Sequence, residues 1–456
     1  MSTDPTEVLR VRLAARLSRL WSSPVSVTGL RRLSGGASRE TWAFDAECSE
    51  AGPPRPLILR CDAPHDPRPG DMAREVCALT AARTAGVPVP EVIDAAAADG
   101  VLGRGYMIMR RIEGEALPRR LLRDPQFAQI RPGAAAELGR IAARIHTIPL
   151  GAVPELSVED PLDSLTRTYA ALNDPRPAIE LGLRQLRQSR PAPQPPTVVH
   201  GDLRNGNILM TPGAVTAILD WELAHIGEPL EDLGWLCTKA WRFGTELPVG
   251  GFGSRTELLD GYSEVAGWRP TEQALRWWEL YGTVRWAVLC RKQAEKYLSG
   301  ADPSIELAVL GWKVREQEFD ILLALGLAVP AKTEPTLPRA APCREHPTVD
   351  QLLGSVSELL TDSTTRSTDA RTRYLSQVAV RALSIARREL LLDTAHSALS
   401  AQRLARLGVG NATELALAVR NGSLDDRWDE VCTTITADVI DRVTVSEPRH
   451  LTCPAR

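Results

Sequence analysis

Val198-Val-His-Gly-Asp-Leu-Arg-Asn-Gly-Asn-Ile-Leu-Met210, continued by Ala217-Ile-Leu-Asp-Trp-Glu222, is the stretch on which the reading turns. It reads as a strand, a tight polar loop, and two short apolar strands within Thr197–Trp221. The loop carries a carboxylate, Asp202, and an amide, Asn207, close enough in sequence to point into one cleft. The apolar run Thr216 to Leu219 can bring a second carboxylate, Asp220, back beside Asn207. Such a sparse set of hard oxygen donors suits Mg²⁺, which takes few protein ligands at about 2.0–2.1 Å and leaves the rest to phosphates and water. One carboxylate to orient and deprotonate a hydroxyl, with an amide oxygen and a second carboxylate for the metal, is what phosphoryl transfer from ATP requires.

Outward from this stretch, composition narrows the field. The chain has 456 residues, 43% hydrophobic and 24% charged, the profile of a globular protein of roughly three compact units. A net charge of −3 gives no electrostatic case for binding nucleic acid or a membrane surface. No apolar run reaches the ~18–20 residues of a membrane span; Ile321–Ala331 is too short and ends at Pro330–Ala331. The acidic start, Met1-Ser-Thr-Asp-Pro-Thr-Glu, leads into a charged amphipathic helix, so no signal peptide and a cytoplasmic location are expected. Eight cysteines without a C-x-x-C pair indicate neither a disulfide framework nor a zinc cage. Only five of the 54 basic residues are lysine, a bias best read as genomic composition.

Asp4-Pro5 is an N-cap followed by proline, opening a helix to about Trp21. Strands are expected at Val25–Leu33, Glu40–Ala46, Pro56–Cys61, Val89–Asp94 and Tyr106–Arg111, with a helix from Asp71 to Thr84, giving a five-stranded antiparallel sheet carrying one helix. Beyond Gly114 the pattern is helical, at Ala134–His146 and at about Leu230–Arg242, Thr256–Val265, Thr271–Leu298 and Ser304–Leu327. Five prolines between Pro330 and Pro347 mark a linker. Thr348 and Gln351 then form a capping-box pattern ahead of an apolar stripe (Val349, Leu352, Leu353, Val356, Leu359, Leu360), and further helices fit Ala370–Leu392 and Leu424–Val443. The expected division is 1–112, 113–329, a linker at 330–347, and a separate all-helical domain at 348–456.

His200-x-Asp202-x-x-x-x-Asn207 with downstream Asp220 resembles the catalytic and metal motifs of protein-kinase-like folds. Gly201 and the HGDLRNGNIL wording are similar to the aminoglycoside phosphotransferase and choline kinase group, over about residues 25 to 325. The resemblance implies an α+β fold with two lobes, a small antiparallel-sheet N-lobe and a mainly helical C-lobe, here extended by the C-terminal all-α domain. It implies ATP and Mg²⁺ as cofactors and a small-molecule hydroxyl as acceptor. Asp202 would be the catalytic base, Asn207 and Asp220 the Mg²⁺ ligands, and His200 and Asp232 the braces of the loop. Leu33-Ser-Gly-Gly-Ala-Ser-Arg-Glu-Thr41 resembles the turn over the phosphates, with Gly35, Gly36 and Ser38 close to them. Arg60 stands where the family's third-strand lysine is expected and Glu75 where its helix partner is. Arg is always charged and grips phosphate bidentately, while an inactive nucleotide-binding scaffold is the alternative this departure keeps open. Adenine would meet the main chain around Met109, Arg110 and Arg111. Glu222 stands either near the metals or as a brace.

The acceptor is less legible. The helix Pro270–Gly300 carries Arg276, Arg285, Arg291, Lys292 and Lys296 against Glu272, Glu279 and Glu295, with Tyr281 and Arg285 placed toward a substrate or simply in core. A pocket for polycationic aminoglycosides would be rich in carboxylates, so the mix points to an anionic or apolar acceptor. Ile218 to Cys237, continuing to Trp241-Arg-Phe, resembles the kinase-like domains associated with acyl-CoA dehydrogenases, which implies a hydroxyacyl-CoA or similar alcohol. A protein kinase is disfavoured by His-Gly-Asp and by the lack of an Ala-Pro-Glu segment. Cys343-Arg-Glu-His346 is a coincidental pairing, and the tail suits packing on the core, a homodimer contact or docking to a partner enzyme.

Overall fold

The computed structural model describes residues 4–33, 39–48, 52–62, 70–97, 102–338 and 347–452. Gly35, Gly36 and Ser38 of the expected phosphate turn, and Cys343–His346, lie outside the described residues. The chain forms two compact units. The first comprises 1–159, 193–237 and 241–275; the second comprises 160–192, 238–240 and 276–456.

The first unit opens with helix α1 (Pro5–Trp21), whose N-cap Asp4 accepts the Thr6 N–H at 3.0 Å. Strands β1 (Val25–Arg32), β2 (Arg39–Cys48) and β3 (Arg55–Asp62) precede α2 (Asp71–Thr84), and β4 (Val92–Ala96) and β5 (Tyr106–Arg110) complete the sheet. All pairings are antiparallel, in the order β1-β2-β3-β5-β4. Period-two alternation decides what each face buries. Tyr106 and Ile108 join Leu13 and Leu17 of α1 in one core, while Met107 and Met109 face the other way into the main core with Ala78 and Leu79 of α2. Helices α3 (Pro118–Arg123) and α4 (Arg131–His146) follow.

After α5 (Pro161–Ala171) and α6 (Pro177–Gln188), both in the second unit, the chain returns to the first. There β6 (Thr197–Val199), β7 (Ile208–Met210), β8 (Val215–Ile218) and β9 (His225–Gly227) form two antiparallel ribbons, β6 with β9 and β7 with β8. Helix α7 (Leu230–Cys237) runs into a 3₁₀ turn at Lys239–Arg242, and α8 (Arg255–Ala266) packs on α4. That packing is backbone-close, since a Cβ on Gly139 would stand 2.1 Å from the Leu258 carbonyl oxygen.

The second unit is helical: α5, α6, most of α9 (Glu272–Leu298), α10 (Ile305–Ala324), α11 (Val349–Arg366), α12 (Ala370–Leu407), α13 (Ala412–Asn421) and α14 (Trp428–Ser446). The tail expected as a domain of its own shares a core with the other helices of this unit. Leu404, Leu415, Val419, Val431, Ile435 and Val439 bury themselves with Ala178 and Leu181 of α6 and with Phe319 and Leu322 of α10 in one shared core. Arg420 pairs with the buried Glu180, and Arg184 pairs with Asp425 and stacks on Trp428. Helix α12 continues well past the expected Leu392 and stops at Gly408 in a left-handed cap. The Thr348–Gln351 capping box is present. The stripe it precedes divides: Leu353 and Leu360 are half-buried, while Val349, Leu352, Val356 and Leu359 are exposed.

Candidate active site

The loop between β6 and β7 is built from its backbone outward. Gly201 has φ +78°, and a Cβ there would lie 2.3 Å from the Leu223 carbonyl oxygen, so glycine is required where that chain closes in. The N–H groups of His200 and Gly201 donate to the two oxygens of Asp232 at 2.8 and 2.9 Å. Asp232 is fully buried on α7, and His146 of α4 contacts it at 3.3 Å. Burial raises its pKa, but these donors more than offset it and hold the carboxyl below its usual range.

His200 is fully buried. Its Nδ1 accepts the Asp202 N–H at 3.1 Å and its Nε2 lies 3.1 Å from the Leu219 carbonyl. This pattern fixes a neutral imidazole protonated on Nε2. Burial lowers its pKa, against the opposing pull of Asp232, Asp202 and Asp220. These contacts tie the loop to the end of β8.

Asp202, Asn207 and Asp220 are all carried on this frame. β7 and β8 pair with Ile208 opposite Ile218, and the Leu219 N–H donates to the Asn207 carbonyl at 2.8 Å, which brings Asp220 beside Asn207. The Asn207 amide donates from Nδ2 to Asp202 Oδ2 at 2.6 Å and to the Asp202 carbonyl at 3.0 Å, turning its oxygen the other way. Asp220 is held at φ +66°, a conformation that costs a non-glycine residue energy and occurs preferentially at functional sites. Among the described residues no group of three or more His, Cys, Asp or Glu side chains is arranged to hold a metal alone. The donor set Asn207 and Asp220 is nonetheless hard and oxygen-only, matching a Mg²⁺ ion completed by phosphates.

Arg60 reaches across to this cluster. Its Nη2 donates to Asp220 Oδ1 at 2.9 Å, and its Nη1 pairs with Glu75. Glu75 is fully buried on α2 and also pairs with Arg39, whose Nε lies 3.3 Å from Asp62. Burial works against the Arg60 charge, but Glu75 and Asp220 outweigh it and hold the guanidinium above its ordinary pKa. Arg60 thus makes the strand–helix ion pair expected of the family's lysine. Glu222 lies within electrostatic reach of both Arg60 and Glu75.

The surroundings of the remaining expected positions differ. Met109 is buried in the main core. The N–H of Arg110 donates to the Glu91 carbonyl and that of Arg111 to the Pro56 carbonyl. Arg110 and Arg111 direct their side chains to Glu91 and Asp45. Tyr281 belongs to the second unit, where it is buried against Trp277 and Trp278 and donates to the Pro161 carbonyl at 3.2 Å, a core role. Arg285, on the same helix, is half-buried in that unit. Two residues escaped the sequence reading: Arg204, whose Nε donates to Asp202 Oδ1 at 3.0 Å, and Trp235, whose indole N–H donates to the same oxygen at 2.8 Å. The spacing Asp232-x-x-Trp235, one helix face, was the signal available.

Comparison with known proteins agrees with this architecture. A model of the phosphotransferase enzyme family (APH) matches residues 29–278, more than half of the chain, and a domain of unknown function (DUF6285) matches 366–450. Mouse acyl-CoA dehydrogenase family member 10 is 30% identical over 178 residues, covering 36% of this chain and 16% of that protein. Chicken acyl-CoA dehydrogenase family member 11 is 28% identical over 246 residues, covering 51% of this chain and 30% of that protein. The chain therefore spans less than a third of these relatives. A crystal structure from Ralstonia eutropha JMP134, of a protein provisionally assigned as an aminoglycoside phosphotransferase, superposes with TM-score 0.54 at 21% identity over 69% of this chain and 98% of that one. With an antiparallel-sheet region, helical lobe and HGD loop all in place, the chain belongs to the phosphotransferase enzyme family and resembles the kinase-like part of these acyl-CoA dehydrogenase family members.

Proposed function

We propose that the protein transfers the γ-phosphoryl group of ATP, with Mg²⁺, to a hydroxyl of a small molecule. The carrying observation is the convergence of Asp202, Asn207 and Asp220 on one braced loop and hairpin. In this reading Asp202 orients the acceptor and takes its proton, while Asn207 and Asp220 hold Mg²⁺ against the phosphates. When bound, the metal neutralises charge developing on the phosphoryl oxygens. Arg60 supplies further positive charge, and Glu75 orients it. In this reading adenine meets main-chain groups around Met109 to Arg111.

The family relatives bearing acyl-CoA dehydrogenase names support a hydroxyacyl-CoA or related alcohol as acceptor. Arg60's double pairing with Glu75 and Asp220 favours a working nucleotide site over an inactive scaffold. The test is transfer of labelled phosphate from ATP to a panel of hydroxyacyl-CoAs and simple alcohols by wild type and Asp202→Ala. Turnover should vanish in the variant while ATP binding persists. A fully active variant would sink the assignment of Asp202.

A further inference from the structure

The surroundings of the Asp202 carboxylate can be counted. An ionised carboxylate offers about four lone-pair positions. Oδ1 accepts from Arg204 Nε at 3.0 Å and from Trp235 Nε1 at 2.8 Å, and Oδ2 accepts from Asn207 Nδ2 at 2.6 Å. Among the described residues, three positions are thus taken, both of those on Oδ1 included. The position that remains is on Oδ2.

We propose that Trp235 is a positioning residue for phosphoryl transfer: with Arg204 it saturates Oδ1, so that Oδ2 is the oxygen that receives the acceptor's proton. The proposal rests on the phosphotransfer reading above and extends it to residues outside the motif. The step it describes is balanced. The acceptor O–H proton passes to Asp202 Oδ2 as the acceptor oxygen bonds to the γ-phosphorus. The bond from that phosphorus to the β–γ bridging oxygen breaks, and ADP leaves with the electron pair.

The two donors are built in. Trp235 is 2% exposed, and it sits three residues beyond Asp232 on α7. One helix face therefore holds both the backbone of the loop and the side chain of its carboxylate. Trp241, in the following 3₁₀ turn, meets the Trp235 ring at 5.2 Å and lies under the Arg204 guanidinium at 4.6 Å. This shared aromatic support restricts Arg204, whose long side chain would otherwise keep its rotamer freedom. Without these donors the carboxylate can rotate and offer either oxygen, and a misplacement of about 1 Å at a reacting group can cost roughly 100-fold in rate.

The experiment uses the full chain with Mg-ATP, water and a hydroxyacyl-CoA panel serving as acceptors. Trp235→Phe keeps a ring and removes the N–H; Trp235→His keeps a ring N–H. The proposal expects kcat to fall about 10- to 100-fold in Trp235→Phe, with KM and calorimetric affinity for ATP unchanged, and partial recovery in Trp235→His. In an Asp202→Asn background, Trp235→Phe should change the residual rate less than twofold. Wild-type kcat in Trp235→Phe overturns the proposal, as does an equal fall in both backgrounds. If Trp235→Phe fails to fold, a folded Trp235→His with no better than Asp202→Ala activity overturns it instead. A wild type that binds Mg-ATP and turns over leaves the phosphotransfer reading standing whatever the Trp235 variants do; one that does neither removes both.

Discussion

Replacing Asp232 by alanine removes the acceptor for two buried N–H groups at 2.8 and 2.9 Å and the partner of His146. Each orphaned buried donor costs about 1–3 kcal/mol, so the expected destabilisation is about 3–5 kcal/mol, in the range found when one partner of a buried charged network is deleted. Asp232→Asn keeps an oxygen for one N–H but sets an amide NH₂ against the other, so about half that loss is expected. Urea unfolding followed by tryptophan fluorescence reads the change as a lower midpoint at constant slope. Because Asp232 holds His200 and Gly201, the turn before Asp202 relaxes as well, and phosphotransfer should drop by roughly 100-fold in either variant. A midpoint within about 0.5 kcal/mol of wild type, the range of an ordinary surface substitution, would refute the claim that Asp232 holds this loop.

Gly201→Ala puts a Cβ 2.3 Å from the Leu223 carbonyl at a φ of +78°, so a loss of about 1–3 kcal/mol and of most activity is expected, read by thermal melting and turnover. Arg60→Met leaves Glu75 to Arg39 alone and uncovers Asp220; KM for ATP should rise about tenfold or more, a change of roughly 1.4 kcal/mol, with Arg60→Lys recovering much of it. His200 is buried and its pKa is lowered, so the unfolded chain takes up a proton that the folded loop refuses. Stability should therefore fall as the pH drops below about 6.5 and on through the folded value, a slope that His200→Asn flattens in melting curves recorded from pH 8 to 5. The Asp232 contribution, whose folded pKa is also lowered, should be complete above the ordinary carboxylate value near 4 and be lost only below it.

Legibility followed the range of the interactions. The α2 helix fell on Asp71–Thr84 as expected, between Gly70 and Gly86, both at positive φ, which are local signals. The sheet's five strands and the β7–β8 return of Asp220 were likewise readable, since period-two alternation and short turns specify them. What escaped depends on distant partners. β9 is three residues long and exists because β6 lies beside it. Helix α13 and the merging of the tail with α6 and α10 follow from complementary apolar faces far apart in sequence. Tyr281, spaced like a pocket residue, was drawn into an aromatic core. At the site itself the motif named Asp202, Asn207 and Asp220, whereas Arg204 and Trp235 declared themselves only once α7 was placed against the loop.

The central claim is a Mg²⁺-dependent nucleotide site built on Asp220 and Asn207. Titration of ATP by calorimetry, with and without Mg²⁺, on wild type and Asp220→Ala tests it most directly. The account predicts binding that requires Mg²⁺ and weakens at least tenfold in the variant, about 1.4 kcal/mol. No binding, or binding indifferent to both Mg²⁺ and Asp220, would contradict it.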